Sequence, residues 1–177
     1  MRRIERAAIL LASLALSAGL IAVLSGFFAD RDQPGLSGAS LPGQGFRDLG
    51  DARLAPGELR PAYDSNPPTS GAHITAPVLR DDSPLNDDQL LTALAAGDVV
   101  VNYGGDVPPR GLTEVARALA APFTAALAAA GQAVILAPLK GTRGLIAVAW
   151  ARMLKVPSAS DPALRAFIGY WLGRGAR

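Results

Sequence analysis

Asn86-Asp87-Asp88-Gln89-Leu90-Leu91-Thr92-Ala93-Leu94-Ala95-Ala96-Gly97-Asp98-Val99-Val100-Val101-Asn102-Tyr103-Gly104-Gly105 is the stretch from which the fold can be read. Asn86 followed by Gln89 has the spacing of a capping box, and Asp87 and Asp88 stand in the first turn, where the helix dipole favours negative charge. Leu90, Leu91, Leu94 and Ala95 form the apolar face of the helix this predicts, and Gly97 is the natural residue to end it. Val99-Val100-Val101 with Tyr103 is a continuous apolar run suited to a strand buried on both faces. Gly104-Gly105 closes it, so the passage reads helix, turn, strand.

Working towards the C-terminus, Thr113 to Ala130 is alanine-rich, with Val115, Leu119, Phe123 and Leu127 spaced four apart as one helical stripe. Pro122 interrupts it, and an internal proline predicts a kink or two short helices. Ala133 to Ala137 and Leu145 to Trp150 are two apolar runs joined by a connection short enough for a hairpin. Ser160-Asp161-Pro162 supplies a cap and a first-turn proline ahead of Leu164, Phe167, Ile168, Trp171 and Leu172, which fall on one helical face. The order is helix, strand, helix, strand, strand, helix. A strand-helix-strand unit prefers a right-handed parallel crossover and the hairpin adds an antiparallel edge. The expected fold class is therefore α/β (α+β): a single small domain with a mixed sheet covered by helices. In element order it resembles a thioredoxin-like core lacking its first strand, a likeness of connectivity only, silent on redox chemistry in a chain without cysteine.

Working towards the N-terminus, Tyr63-Asp64-Ser65-Asn66-Pro67-Pro68-Thr69-Ser70-Gly71-Ala72-His73 is the densest signature. Pro67 and Pro68 fix φ and push Asn66 towards extended geometry, after which Thr69-Ser70-Gly71 can turn and present His73. Two readings stand side by side. His73 is a hydrogen-bonded structural residue of a rigid turn, or Tyr63, Asn66, Thr69, Ser70 and His73, with Asp98 after the helix, line a ligand-binding pocket. No second histidine exists to assist the first.

These residues resemble a bacterial family classified only as a domain of unknown function, common in exported or membrane-anchored proteins. Its hallmark is Tyr-x-x-Asn-Pro-Pro-Thr-Ser-Gly-Pro-His, followed by a helix reading His-Ser-Leu-Glu-His-Gly and a valine-rich strand ending in tyrosine. Tyr63, Asn66, Pro67, Pro68, Thr69, Ser70, Gly71 and His73 match the first motif, and Leu94, Gly97, Val99 and Tyr103 the second. The resemblance extends over Tyr63 to Tyr170. Ala72 replaces the proline, Thr92 and Ala96 stand where the helical histidines would be, and Ala95 where the glutamate would be. Histidines four apart on a helix, joined by a third from a turn, would suit a metal in ordinary members. The resemblance thus implies, for this chain, a degenerate site: no catalytic residues, no metal ligands and no cofactor.

Other chemistry is thinner. Asp81-Asp82 and Asp87-Asp88 lack the alternating spacing and glycine of a calcium loop. Ser70 precedes His73 without a nucleophile elbow or an evident oxyanion donor. Lys140 and Arg143 flank Gly141, a pattern that suits either an anion nest or a solvated turn.

Composition narrows the classes. Of 177 residues, 50% are hydrophobic and 18% charged, with 17 Lys+Arg against 15 Asp+Glu. The net +2 resides in Arg2, Arg3 and Arg6 against Glu5, leaving the rest of the chain neutral. No clustered positive field of the kind nucleic acid requires is visible, so no nucleic-acid partner is expected. With no cysteine, disulfide scaffolds, thiolate zinc sites, iron–sulfur clusters and dithiol centres are excluded, and a single histidine excludes any site needing two imidazoles.

Residues 1–6 read as a cytoplasmic tip. Residues 7–28, Ala7 to Phe28, form an uncharged stretch that as a helix would reach about 33 Å, enough to span a bilayer. Arg2, Arg3 and Arg6 before it and Asp30 and Asp32 after it place the N-terminus in the cytoplasm. Ala15-Leu16-Ser17 offers the alternative of a cleaved signal peptide, against which stands the apolar run continuing well past that point. Residues 29–61, rich in glycine and proline, read as an extracytoplasmic linker, and residues 62–177 as the domain. The expectation is a single-pass protein of the bacterial cytoplasmic membrane. Its domain lies outside, in the periplasmic or extracytoplasmic space, as a non-catalytic accessory, assembly or scaffolding component. Its partners would be other membrane proteins, in a multisubunit complex. The alternative is a ligand-binding or degenerate metal-dependent enzyme domain using the Tyr63 to His73 loop.

Overall fold

In the computed structural model residues 41–176 are described. Five strands and four helices follow one another as β1 (Gln44–Gly45), α1 (Asp87–Ala96), β2 (Val99–Tyr103), α2 (Leu112–Leu119), α3 (Ala125–Ala129), β3 (Val134–Pro138), β4 (Leu145–Ala149), β5 (Arg152–Val156) and α4 (Pro162–Trp171). The result is a small α+β domain whose single mixed sheet has the order β1-β5-β4-β2-β3. β2 and β3 are parallel, with Val101 opposite Leu136. β4 runs antiparallel to both β2 and β5, and β1 antiparallel to β5.

The capping residues do what their chemistry suggests. Asn86 Oδ1 accepts from the Gln89 amide at 2.9 Å, and Gln89 Oε1 accepts from the Asn86 amide at 3.2 Å. Gly97 adopts the left-handed conformation (φ 119°), and a Cβ there would press on the Gly131 carbonyl and on Gly173. Thr124 caps α3 through Leu127 N, and Asp161 caps α4 through Ala163 N with Pro162 behind it.

All five residues of β2 are buried, as a strand covered on both faces requires. Side chains alternate between two cores. Val99, Val101 and Tyr103 join Leu136, Leu145, Ala147, Leu112 and Val115 beneath Leu164, Phe167 and Ile168 of α4. Val100 turns to the other face, with Ile135, Val148 and Trp150 beneath Leu90, Leu91 and Leu94 of α1. Burying each such aliphatic or aromatic side chain contributes about 1.5–3 kcal/mol.

Two sequence expectations are corrected. The runs around β3 and β4 do not form a hairpin with each other, because β2 lies between them. The hairpin is β4–β5, turning at Trp150-Ala151 with Ala151 at φ 54°. β5 was hidden because Arg152 and Lys155 interrupt its hydrophobicity, although Met153 and Val156 are buried. The stripe from Val115 to Leu127 is also not one face. Pro122 separates α2 from α3, and Val115 and Leu119 pack in the α4 core while Phe123 and Leu127 pack in the α1 core.

The compact unit begins at Pro42, not at residue 62. Gln44 and Gly45 pair with Met153 and Arg152, Phe46 N donates to Ala151 O at 3.0 Å, and Trp171 Nε1 donates to Pro42 O at 2.9 Å. Gly43 lies so close to the Phe167 ring that a Cβ would clash with it. Among the described residues no helix is long and apolar enough to cross a membrane. The stretch Ala7 to Phe28, read as a transmembrane helix, lies outside the described residues, as does the linker up to residue 40.

Candidate functional site

The Tyr63 to His73 loop is wound around its own polar groups. The peptide bond between Asn66 and Pro67 is cis, and Pro67, Pro68, Thr69, Ser70 and Gly71 are all buried. Gly71 takes φ 129°, and a Cβ on it would come within 2.9 Å of the Tyr63 ring. Only glycine permits that backbone to lie against that ring. The Tyr63 hydroxyl donates to Ala72 O at 3.0 Å, and burial pushes its pKa up, so it remains a donor. Ser65 Oγ donates to Thr69 Oγ1 at 3.3 Å, and Thr69 O accepts from Ala151 N at 2.9 Å, which ties the loop to the β4–β5 turn.

A second segment, Arg47 to Leu54, straps the loop from outside. Ser70 Oγ accepts from Leu49 N at 3.0 Å and donates to Arg47 O at 3.1 Å. Gly71 N donates to Gly50 O, His73 N to Ala52 O, and Leu54 N to His73 O, each at 2.9–3.0 Å, forming a short parallel bridge between Arg53 and His73. Asp64 Oδ2 accepts from Arg47 N at 3.1 Å.

His73 is fully buried, and both of its nitrogens are engaged. Nδ1 lies 2.9 Å from Gly71 O, a pure acceptor, so Nδ1 carries the proton. Nε2 faces Arg53 Nη1, a pure donor, and therefore presents its lone pair. Burial lowers the pKa of His73, and the Arg53 charge lowers it further against the opposing Gly71 hydrogen bond. The imidazole is neutral at neutral pH, with no free nitrogen to bind a metal or move a proton.

The chain beyond His73 lies along α1. Asp88 Oδ1 accepts from Ile74 N at 2.9 Å and its other oxygen pairs with Arg60, while Thr92 Oγ1 accepts from Ala76 N at 3.0 Å. Thr92 thus serves as a backbone anchor. Among the described residues no group of three or more histidine, cysteine, aspartate or glutamate side chains is placed to hold a metal.

The five residues singled out from sequence do not share one cleft. Thr69, Ser70 and His73 are sealed inside, Tyr63 is half-buried and Asn66 is exposed. Asp98, just before β2, is 1% exposed and directs Oδ1 to Ala133 N at 2.8 Å, pinning the residue that leads into β3. Its Oδ2 is buried without a partner, and burial pushes the pKa up to about 7. Asp81 and Asp82 are accounted for by the sheet edge: Leu136 N donates to Asp81 Oδ1 at 2.8 Å and Asp82 N to Leu136 O at 2.9 Å. Sequence reasoning missed Arg53 and the strap around it, because a segment without hydrophobic periodicity carries no signal of what its backbone will bond to.

Comparison with known proteins returns one family. Its model, described as protein of unknown function (DUF3105), matches residues 58–175. No curated protein and no solved structure matches the chain.

Proposed function

The chain belongs to this family of proteins of unknown function, and from that premise we propose that it is a membrane-anchored, extracytoplasmic and non-catalytic domain, serving as an accessory, assembly or scaffolding component of a membrane protein complex. One observation carries the non-catalytic part of this reading: apart from the exposed Asn66, the side-chain polar groups singled out in the signature loop are engaged inside the domain. His73 has Gly71 and Arg53, Ser70 has Arg47 and Leu49, and Tyr63 has Ala72. A binding or catalytic pocket keeps convergent polar groups available to a ligand. Here they hold two chain segments together.

The anchor rests on the uncharged run from Ala7 to Phe28 and the arginines before it. Localisation outside the bacterial cytoplasmic membrane follows from the same charge asymmetry. The parallel β2–β3 crossover, the antiparallel β4–β5 hairpin and the closing helix α4 support a thioredoxin-like element order. That order carries no redox function in a chain without cysteine.

Extraction of native membranes with a mild detergent, followed by size separation and mass spectrometry, tests the reading. The chain is expected to comigrate in fixed ratio with defined membrane proteins. Recovery only in the soluble fraction, or as a free monomer, would sink it.

A further inference from the structure

The chain contains only two lysines, Lys140 and Lys155. They stand on different elements, one in the β3–β4 connection and one on β5, yet they line the same open concavity together with Arg143. Asn66 of the signature loop, Thr142 and Gly141 complete its polar wall, and among the described residues no carboxylate lines it. The only salt bridge among the described residues is Arg60–Asp88, so none of the three cations is paired there. Because the chain beyond its N-terminal arginines is neutral overall, this is a local concentration of charge and not a reflection of a basic domain.

The wall is built on constrained backbone. Leu139 N donates to Tyr103 O at 2.7 Å and Thr142 N to Leu139 O at 3.2 Å, while Gly141 and Gly144 take positive φ. Gly104 packs so tightly on Thr142 that a Cβ would overlap its carbonyl. Lys140 and Arg143 therefore leave a fixed turn. Lys140 also borders a neighbouring concavity that holds Asp82 and Asp106, so carboxylates lie on its far side only.

We propose that the concavity between Asn66, the Lys140–Arg143 turn and Lys155 binds a phosphate-bearing anion. A guanidinium offers a fork to two oxygens, the two ammonium groups supply compact charge, and the Asn66 amide and Thr142 hydroxyl are neutral donors. Three cations with two neutral donors beside them match the several oxygens of a phosphate or phosphodiester better than the two of a carboxylate. The phosphate is that of a lipid headgroup or of a soluble compound, and the chemistry of recognition is shared.

The test uses the full-length chain in a nonionic detergent. Lysine acylation read by peptide mass spectrometry reports Lys140 and Lys155 individually. Inorganic pyrophosphate is added in one arm, and micelles containing phosphatidylglycerol or phosphatidylcholine in the other. Pyrophosphate or phosphatidylglycerol is expected to slow acylation of both lysines several-fold, and phosphatidylcholine to leave it unchanged. Protection by phosphatidylglycerol alone assigns the headgroup, by pyrophosphate alone a soluble phosphate, and by both the phosphate group itself. Arg143→Gln should raise the half-saturating concentration roughly tenfold, while Arg165→Gln, on the exposed side of α4, should not change it. Unaltered acylation in both arms overturns the proposal, as does protection that survives Arg143→Gln or falls equally with Arg165→Gln.

Discussion

At the scale of the residue, His73 and Asp98 are buried polar groups with opposite degrees of satisfaction. His73 has two nitrogens and two partners. His73→Ala leaves the Arg53 guanidinium and the Gly71 carbonyl facing a cavity, and is expected to cost on the order of 3 kcal/mol in urea unfolding. A loss below about 0.5 kcal/mol, the usual size for an unconstrained surface position, would contradict a structural role. Asp98 keeps one oxygen unpaired, and its folded-state pKa lies at about 7 against an ordinary 3.8. A raised pKa means the folded protein holds the proton more tightly than the unfolded chain. The associated stability is present below pH 4 and lost as pH rises through about 7, by a few kcal/mol at most. Asp98→Asn, which keeps the acceptor for Ala133 N, is expected to flatten this decline. Parallel stability profiles for the two proteins between pH 4 and 8 would rule the assignment out. The histidine could be singled out in the sequence because it is the only one. Its state could not, since that depends on Arg53, twenty positions away in a stretch without pattern.

At the scale of the element, local chemistry was legible where a short segment determines its own conformation. Asn86 with Gln89, Gly97, and Asp161-Pro162 marked helix ends that the structure reproduces. Pairing was less legible. The hairpin assigned to the runs around β3 and β4 belongs to β4 and β5, because a two-residue turn at Trp150-Ala151 lacks the glycine or asparagine that usually announces one. The strap from Arg47 to Leu54 was invisible for a related reason: its stabilisation comes from main-chain bonds to Ser70, Gly71 and His73, which leave no mark on side-chain composition. The Ser70 hydroxyl makes two bonds to the strap. Ser70→Ala removes the acceptor for Leu49 N and the donor to Arg47 O, and is expected to cost about 1–2 kcal/mol. Hydrogen exchange should show the Leu49 amide opening faster, with the β2 amides changed only by the global loss. Uniform acceleration across strap and sheet would mean that the strap has no local role.

At the scale of the whole molecule, the boundary of the folding unit separates the sequence reading from the structure most clearly. Glycine and proline density argues for a linker up to residue 61 and a domain from 62, and the family match likewise begins at residue 58. Yet the unit closes only with residues from Pro42 onwards. A chain starting at residue 62 would lose the β1–β5 pairing, the Pro42 acceptor of Trp171, and the contact of Gly43 with Phe167. It would also lose Arg53 as the donor to His73 Nε2, and the main-chain bonds of Ala52 and Leu54 to His73. Against a total stability of about 5–15 kcal/mol for a domain of this size, several such losses together are comparable with the whole. Residues 42–177 are therefore expected to unfold in one cooperative transition, and residues 62–177 to show a sharply lower midpoint or no transition at all. Equal midpoints would mean that the strap lies on the surface without stabilising it.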